Sequence, residues 1–174
     1  MSLSLHAATV PTWLQVIAST RALVDKAEAW CAENDEPTEA IMEAKLADNM
    51  WAFGWQISSV WMHSAHALNA AKLGKFEPDF SAVPGDFDAC RAKLDLARDT
   101  LLAASADELA AVADNNIDFV LGGTVRMSFT VQNFLLGFSI PNFYFHAATA
   151  YDILRMKGLA IGKRDYLGAV PIKL

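Results

Sequence analysis

Four long stretches of this chain repeat their apolar residues at the spacing of an α-helix, and that periodicity restricts the fold more than any other feature. The first runs from about Leu5 or Thr9 to Asn34, with Trp13, Ile17, Leu23 and Trp30 among its apolar positions. Either Ser4 caps it and Pro11 bends it, or Thr9 caps it and Pro11 falls in the first turn, where a missing N–H costs nothing. The acidic ENDEP stretch ends this helix, and a short helical piece after Thr38 leads into the second, predicted over roughly Asp48 to Leu73 with Gly74 as its stop. Residues 74–85 hold two prolines and two glycines and read as a loop. Asp86 then caps a third helix carrying Phe87, Cys90, Leu94, Ala97 and Leu101 at helical intervals. Ser105 and Glu108 have the spacing of a capping box, which predicts a short separate helix. The last long helix is expected from about Val131 to Lys157, ending before Gly158.

Between the third and last helices, Val125, Met127 and Phe129 alternate with Arg126, Ser128 and Thr130 after the pair Gly122-Gly123. Alternation around a two-glycine turn is the pattern of a β-hairpin. The expected architecture is an all-α four-helix bundle, one domain over residues 1–174, with a small β-hairpin before the last helix.

Charge and composition exclude several functions. A net charge of −6 with no basic cluster beyond Gly162-Lys163-Arg164-Asp165 argues against nucleic-acid binding. No apolar run reaches the roughly 18 residues of a membrane span, and the start has no basic segment leading into a long apolar one, so neither a membrane anchor nor a secretory signal is expected. Cys31 and Cys90 stand far apart, as reduced buried thiols of a cytoplasmic protein would. Lys163, Arg164 and Asp165 are expected to tie the tail back onto the helices by ion pairing, with Arg164 contributing to stability.

The candidate site emerges from the helical faces. At 100° per residue, Gln56, Ser59, His63, His66, Ala67 and Ala70 fall within about a 100° stripe of the second helix. Large apolar residues bracket it: Phe53, Ile57, Val60 and Trp61 on one side, Trp51, Trp55 and Met62 on the other. Ser58, Ala65, Asn69 and Lys72 lie opposite and make the expected solvent face. On the last helix, His146 shares its face with Asn142, Phe143, Thr149, Ala150 and Ile153. Both helices therefore direct a histidine inward, with Pro141 bending or restarting the last helix close by. A buried neutral imidazole needs only hydrogen-bond partners, and Gln56, Ser59, Asn142 and Thr149 are placed to supply them.

The string Ser139-Ile140-Pro141-Asn142-Phe143-Tyr144-Phe145-His146, the later Gly162-Lys163-Arg164-Asp165, the opening MSLSLHAATVPTWL, the Lys45–Met50 stretch and the hairpin LGGTVRMSFT together resemble a bacterial family of unknown function in the DinB/YfiT-like superfamily. The likeness runs through essentially the whole chain. It implies an up-down-down-up bundle, often dimeric. It also implies a divalent metal, zinc or nickel, held by one histidine of helix two and a pair four residues apart on the last helix, with thiol transfer or thiol-adduct isomerisation as the chemistry. His63 matches the helix-two ligand and His146 one member of the pair. Positions 150 and 142 hold Ala150 and Asn142, so the three-histidine set is incomplete. Asp152 lies about 120° around the helix from His146 and does not replace the missing ligand.

Three functional readings are open. In the first, a small-molecule pocket between helices two and four is lined by Gln56, Ser59, His63, Asn142, Phe143 and His146, with Trp55 at its side and no complete metal site. In the second, His63 and His146 ligate zinc or nickel, Asn142 or His66 completes the sphere, and the metal activates a nucleophile. In the third, the tryptophan-rich helix two is a homodimer face. The first is preferred, with a homodimer and a small-molecule ligand as the expected partners.

Overall fold

The computed structural model describes residues 3–81 and 83–172, so Met1 and Ser2 of the opening motif and Ala82 of the expected loop lie outside the described residues. Helix α1 (Leu5–Glu33) begins at Ser4, whose hydroxyl accepts from Ala7 N at 3.1 Å. Pro11 therefore sits inside the helix. Around it the Thr9 and Thr12 hydroxyls donate to the carbonyls of Leu5 and Thr9, at 2.8 and 2.9 Å. The single turn α2 (Glu39–Met42) comes next, then a non-helical connection through Ala52.

The second long segment starts at Phe53, later than the periodicity implies. It comprises α3 (Phe53–Trp61), a wide π-helical turn (Met62–His66) and α4 (Ala67–Leu73), run together as one helix. A π turn takes an extra residue and rotates the turns beyond it. Within this turn His63 O receives the Ser139 hydroxyl at 2.9 Å. Ser139 itself closes a second π turn, Phe134–Ser139, between α7 (Val131–Asn133) and α8 (Ile140–Met156). Pro141 stands in the first turn of α8, where its lack of an N–H is tolerated. The two wide turns thus meet across the interior.

Helix α5 (Phe87–Leu102) is capped by Asp86, which accepts from Ala89 N at 2.7 Å, and it buries the five apolar positions anticipated for it. Helix α6 (Ala106–Val112) is capped by the Ser105 hydroxyl. Helix α1 packs on α5 and α8, and α3 packs on the same two helices. That coverage overturns part of the expected solvent face of the second long helix: Ser58 and Ala65 are buried, and only Asn69 and Lys72 emerge.

The hairpin consists of β2 (Asn116–Leu121) and β3 (Thr124–Thr130), antiparallel with Leu121 opposite Thr124. Gly122 and Gly123 have φ of 59° and 73°, the left-handed pair that a two-residue hairpin turn demands. Inside the expected loop, β1 (Lys75–Phe76) pairs parallel to β2, so the sheet has three strands in the order β1-β2-β3. The fold is mostly helical with this small sheet at one side.

The tail forms α9 (Lys163–Leu167) against α1. Asp165, rather than Arg164, makes the tie: it pairs with Lys26 and accepts from Gly162 N at 2.7 Å. The Ser19 hydroxyl and Gln15 Nε2 donate to the carbonyls of Tyr166 and Leu167, at 2.6 and 2.7 Å. Cys31 and Cys90 are free and buried, and burial pushes the Cys90 thiol up to about 12, leaving it inert as a nucleophile. Among the described residues no helix is long and apolar enough to cross a membrane.

Candidate functional site

His63 projects from the first π turn and His146 from the middle of α8, because α3 and α8 pack side by side. Their rings are nearly parallel, 8° apart, with centroids 5.8 Å from each other. Both are buried, at 7% and 8% exposure. Phe76 of β1 and Phe138 of the second π turn wall in His63, each with its centroid at 5.7 Å. Desolvation disfavours the imidazolium in such surroundings. It lowers His63 from 6.5 to about 3, with the neighbouring His146 and His66 adding to the effect, and lowers His146 from 6.5 to about 4. Both rings are neutral at physiological pH.

Their partners differ. His146 Nδ1 lies 2.7 Å from Gln56 Oε1, and Gln56 Nε2 donates to the carbonyl of Trp51 at 2.8 Å. A carbonyl can only accept, so the amide orientation is set by Trp51, and Nδ1 is the protonated nitrogen of His146. His63 Nδ1 is buried without a partner, as is the hydroxyl of Ser59, one turn earlier on the same stripe. Thr149 turns its hydroxyl back to Phe145 O at 2.7 Å and takes no part.

A cleft of about 350 Å³ opens beside the pair, lined by Asn49, Met50, Trp51, Gln56, Asn142, Phe145 and His146. Of the residues anticipated for the pocket, Gln56, Asn142 and His146 border it. His63 and Ser59 lie deeper in the interior, and Phe143 is fully buried with its ring edge-on to Trp13. His66 points elsewhere: it is half-buried, stacks on Trp61 and bonds through Nε2 to Glu77 O at 2.8 Å.

Asn49, Met50 and Phe145 are the cleft residues that the helical faces do not single out, and Trp51 borders the histidine stripe as expected, though not through a helical phase. Trp51 precedes α3 in the non-helical connection, so no helical phase applies to it. Its indole lies near-parallel to the His146 ring with centroids 6.0 Å apart, and also packs against Trp55 and Phe80. The turn-forming pair Asp48-Asn49 was the available signal that the helix starts later. Phe145 neighbours His146 in sequence and is 55% exposed at the cleft edge.

Among the described residues, no three His, Cys, Asp or Glu side chains are grouped to hold a metal ion. A catalytic divalent site uses three protein ligands and one open position. The donor set here is two imidazoles, one of them already bonded to an amide, with Asn142 nearby. It does not fit the three-histidine centre that the resemblance implies.

The fold is mostly helical with a small sheet, and a buried pair of neutral histidines lies beside an open cleft. A solved structure described as a DinB family member protein from Shewanella denitrificans matches with a TM-score of 0.80 and 25% identity, over 98% of this chain and 95% of that one. The family model for a domain of unknown function, DUF1993, matches residues 5–167, and the chain belongs to that family. No curated protein matches the chain.

Proposed function

We propose that this protein binds a small molecule in the cleft between α3 and α8 and does so without a divalent metal. One observation carries the reading: the cleft floor is a buried, neutral imidazole held in one tautomer by Gln56, beneath the exposed rings of Trp51 and Phe145. Concave sites with apolar walls and a few convergent polar groups are where small ligands are held. In the same reading the four long helical segments form one up-down-down-up bundle domain. The protein is a cytoplasmic homodimer, in keeping with its free buried thiols.

A second reading is a divalent-metal enzyme of the DinB/YfiT-like type using His63 and His146. What favours it is the unpartnered His63 Nδ1 and the 5.8 Å separation of the two rings. Elemental analysis of protein purified without an affinity tag separates the two, together with thermal melting in added zinc or nickel at neutral pH. Substoichiometric metal and an unchanged melting temperature are expected. A stoichiometric transition metal that disappears in a His63→Ala variant overturns the metal-free reading.

A further inference from the structure

The hydrogen bonds around the cleft dictate more than its size, and they bear on what it admits. Gln56 Nε2 is committed to the Trp51 carbonyl and Gln56 Oε1 to His146 Nδ1. The neutral His146 ring therefore carries its proton on Nδ1, and Nε2 keeps an unshared lone pair. Asn142 repeats the arrangement on the same wall. Its Nδ2 gives one hydrogen to Phe138 O at 2.7 Å, and Oδ1 is left as an acceptor beside the second Nδ2 hydrogen. Gln56, His146 and Asn142 all line the cleft.

No lining side chain is charged. A carboxylate or phosphate entering would lose its hydration with no cation to receive it. The remaining walls are the amide of Asn49 at the exposed edge, Met50, and the rings of Trp51 and Phe145, which offer flat apolar surface. An occupant that left the His146 and Asn142 acceptors without donors would bury them unpaired, and such mismatches weaken binding.

Resting on the binding reading above, we infer that the cleft selects an uncharged molecule with a flat apolar body and an O–H or N–H group that donates to His146 Nε2 or Asn142 Oδ1. Phenol carries this combination, anisole lacks only the donor, and benzoate replaces it with a negative charge. The test is titration of the full chain at pH 7 with each probe, following the Trp51 indole resonance by NMR and affinity by calorimetry. Phenol is expected to bind and shift the Trp51 signal, anisole to bind about three- to tenfold more weakly, the worth of one neutral hydrogen bond, and benzoate not to bind. The phenol preference is expected to shrink in His146→Phe, which keeps the ring contact but not the acceptor. It is expected to shrink in Asn142→Leu, at a half-buried position that tolerates substitution if His146→Phe does not fold.

Equal binding of phenol and anisole with Trp51 shifted by both would sink the donor requirement and leave the cleft standing. So would a preference unaltered in both variants, or binding of benzoate. If no probe moves Trp51, the binding reading and this inference fall together.

Discussion

Acidification from pH 7 to pH 5 is expected to remove about 4 kcal/mol of stability through His63 and His146 alone. In the folded chain burial holds these rings neutral, with values near 3 and 4 in place of 6.5. Unfolded, both return to the ordinary imidazole value and take up protons as the pH falls below it. The unfolded state therefore binds more protons throughout this interval. The stabilisation is fully present above pH 6.5, and it is lost as the pH falls towards the folded values. Integrating the proton difference for one ring between pH 7 and pH 5 gives about 1.8 kcal/mol, hence about 4 for two. Against a typical total of about 5–15 kcal/mol, the loss is easily measured. Glu77, Asp79 and Asp165 have carboxyls held below the usual range by Lys75, Ser81 and Lys26, so their share lies at lower pH. Urea unfolding at pH 7, 6 and 5, followed by circular dichroism, reads the effect as a falling midpoint at constant slope. In His146→Phe the loss should drop to about 2 kcal/mol. A wild-type change under about 1 kcal/mol, or an undiminished loss in His146→Phe, would refute the reasoning.

Three other outcomes are expected. Gln56→Leu strands His146 Nδ1 and the Trp51 carbonyl; it should cost about 2 kcal/mol, read as a melting point lower by roughly 4–8 °C, and cost less in a His146→Phe background. Gly54→Ala would set a Cβ 2.4 Å from Pro84 O, a backbone atom that cannot swing aside, and should destabilise by about 1–3 kcal/mol in urea unfolding. Asp165→Ala should lower the melting temperature more than Arg164→Ala, because Asp165 holds both Lys26 and the Gly162 N–H.

Much of the fold was legible because its signals are local. Asp86, Ser105 and the Gly122-Gly123 pair act through bonds and torsions within a few residues, and the structure uses each as anticipated. What was misjudged depends on partners distant in the chain. Ser58 and Ala65 lie opposite the histidine stripe yet are buried, since α5 covers the face that α8 does not. Lys75–Phe76 looked like loop until β2 supplied its hydrogen bonds.

For the site, the inward direction of His63 and His146 followed from a 3.6-residue period, an intrinsic property of each helix. Their separation and the Gln56 bridge that sets the His146 tautomer did not. They arise from the packing of α3 on α8, beside two wide turns at Met62–His66 and Phe134–Ser139 that a Ser139 hydroxyl to His63 carbonyl bond joins. A π turn alters helical phase according to what packs against it, so periodicity along one segment carries no record of it. The chain's own pattern turned the two histidines inward, and packing between segments decided what else is buried, which side chains meet and which stay open to a ligand.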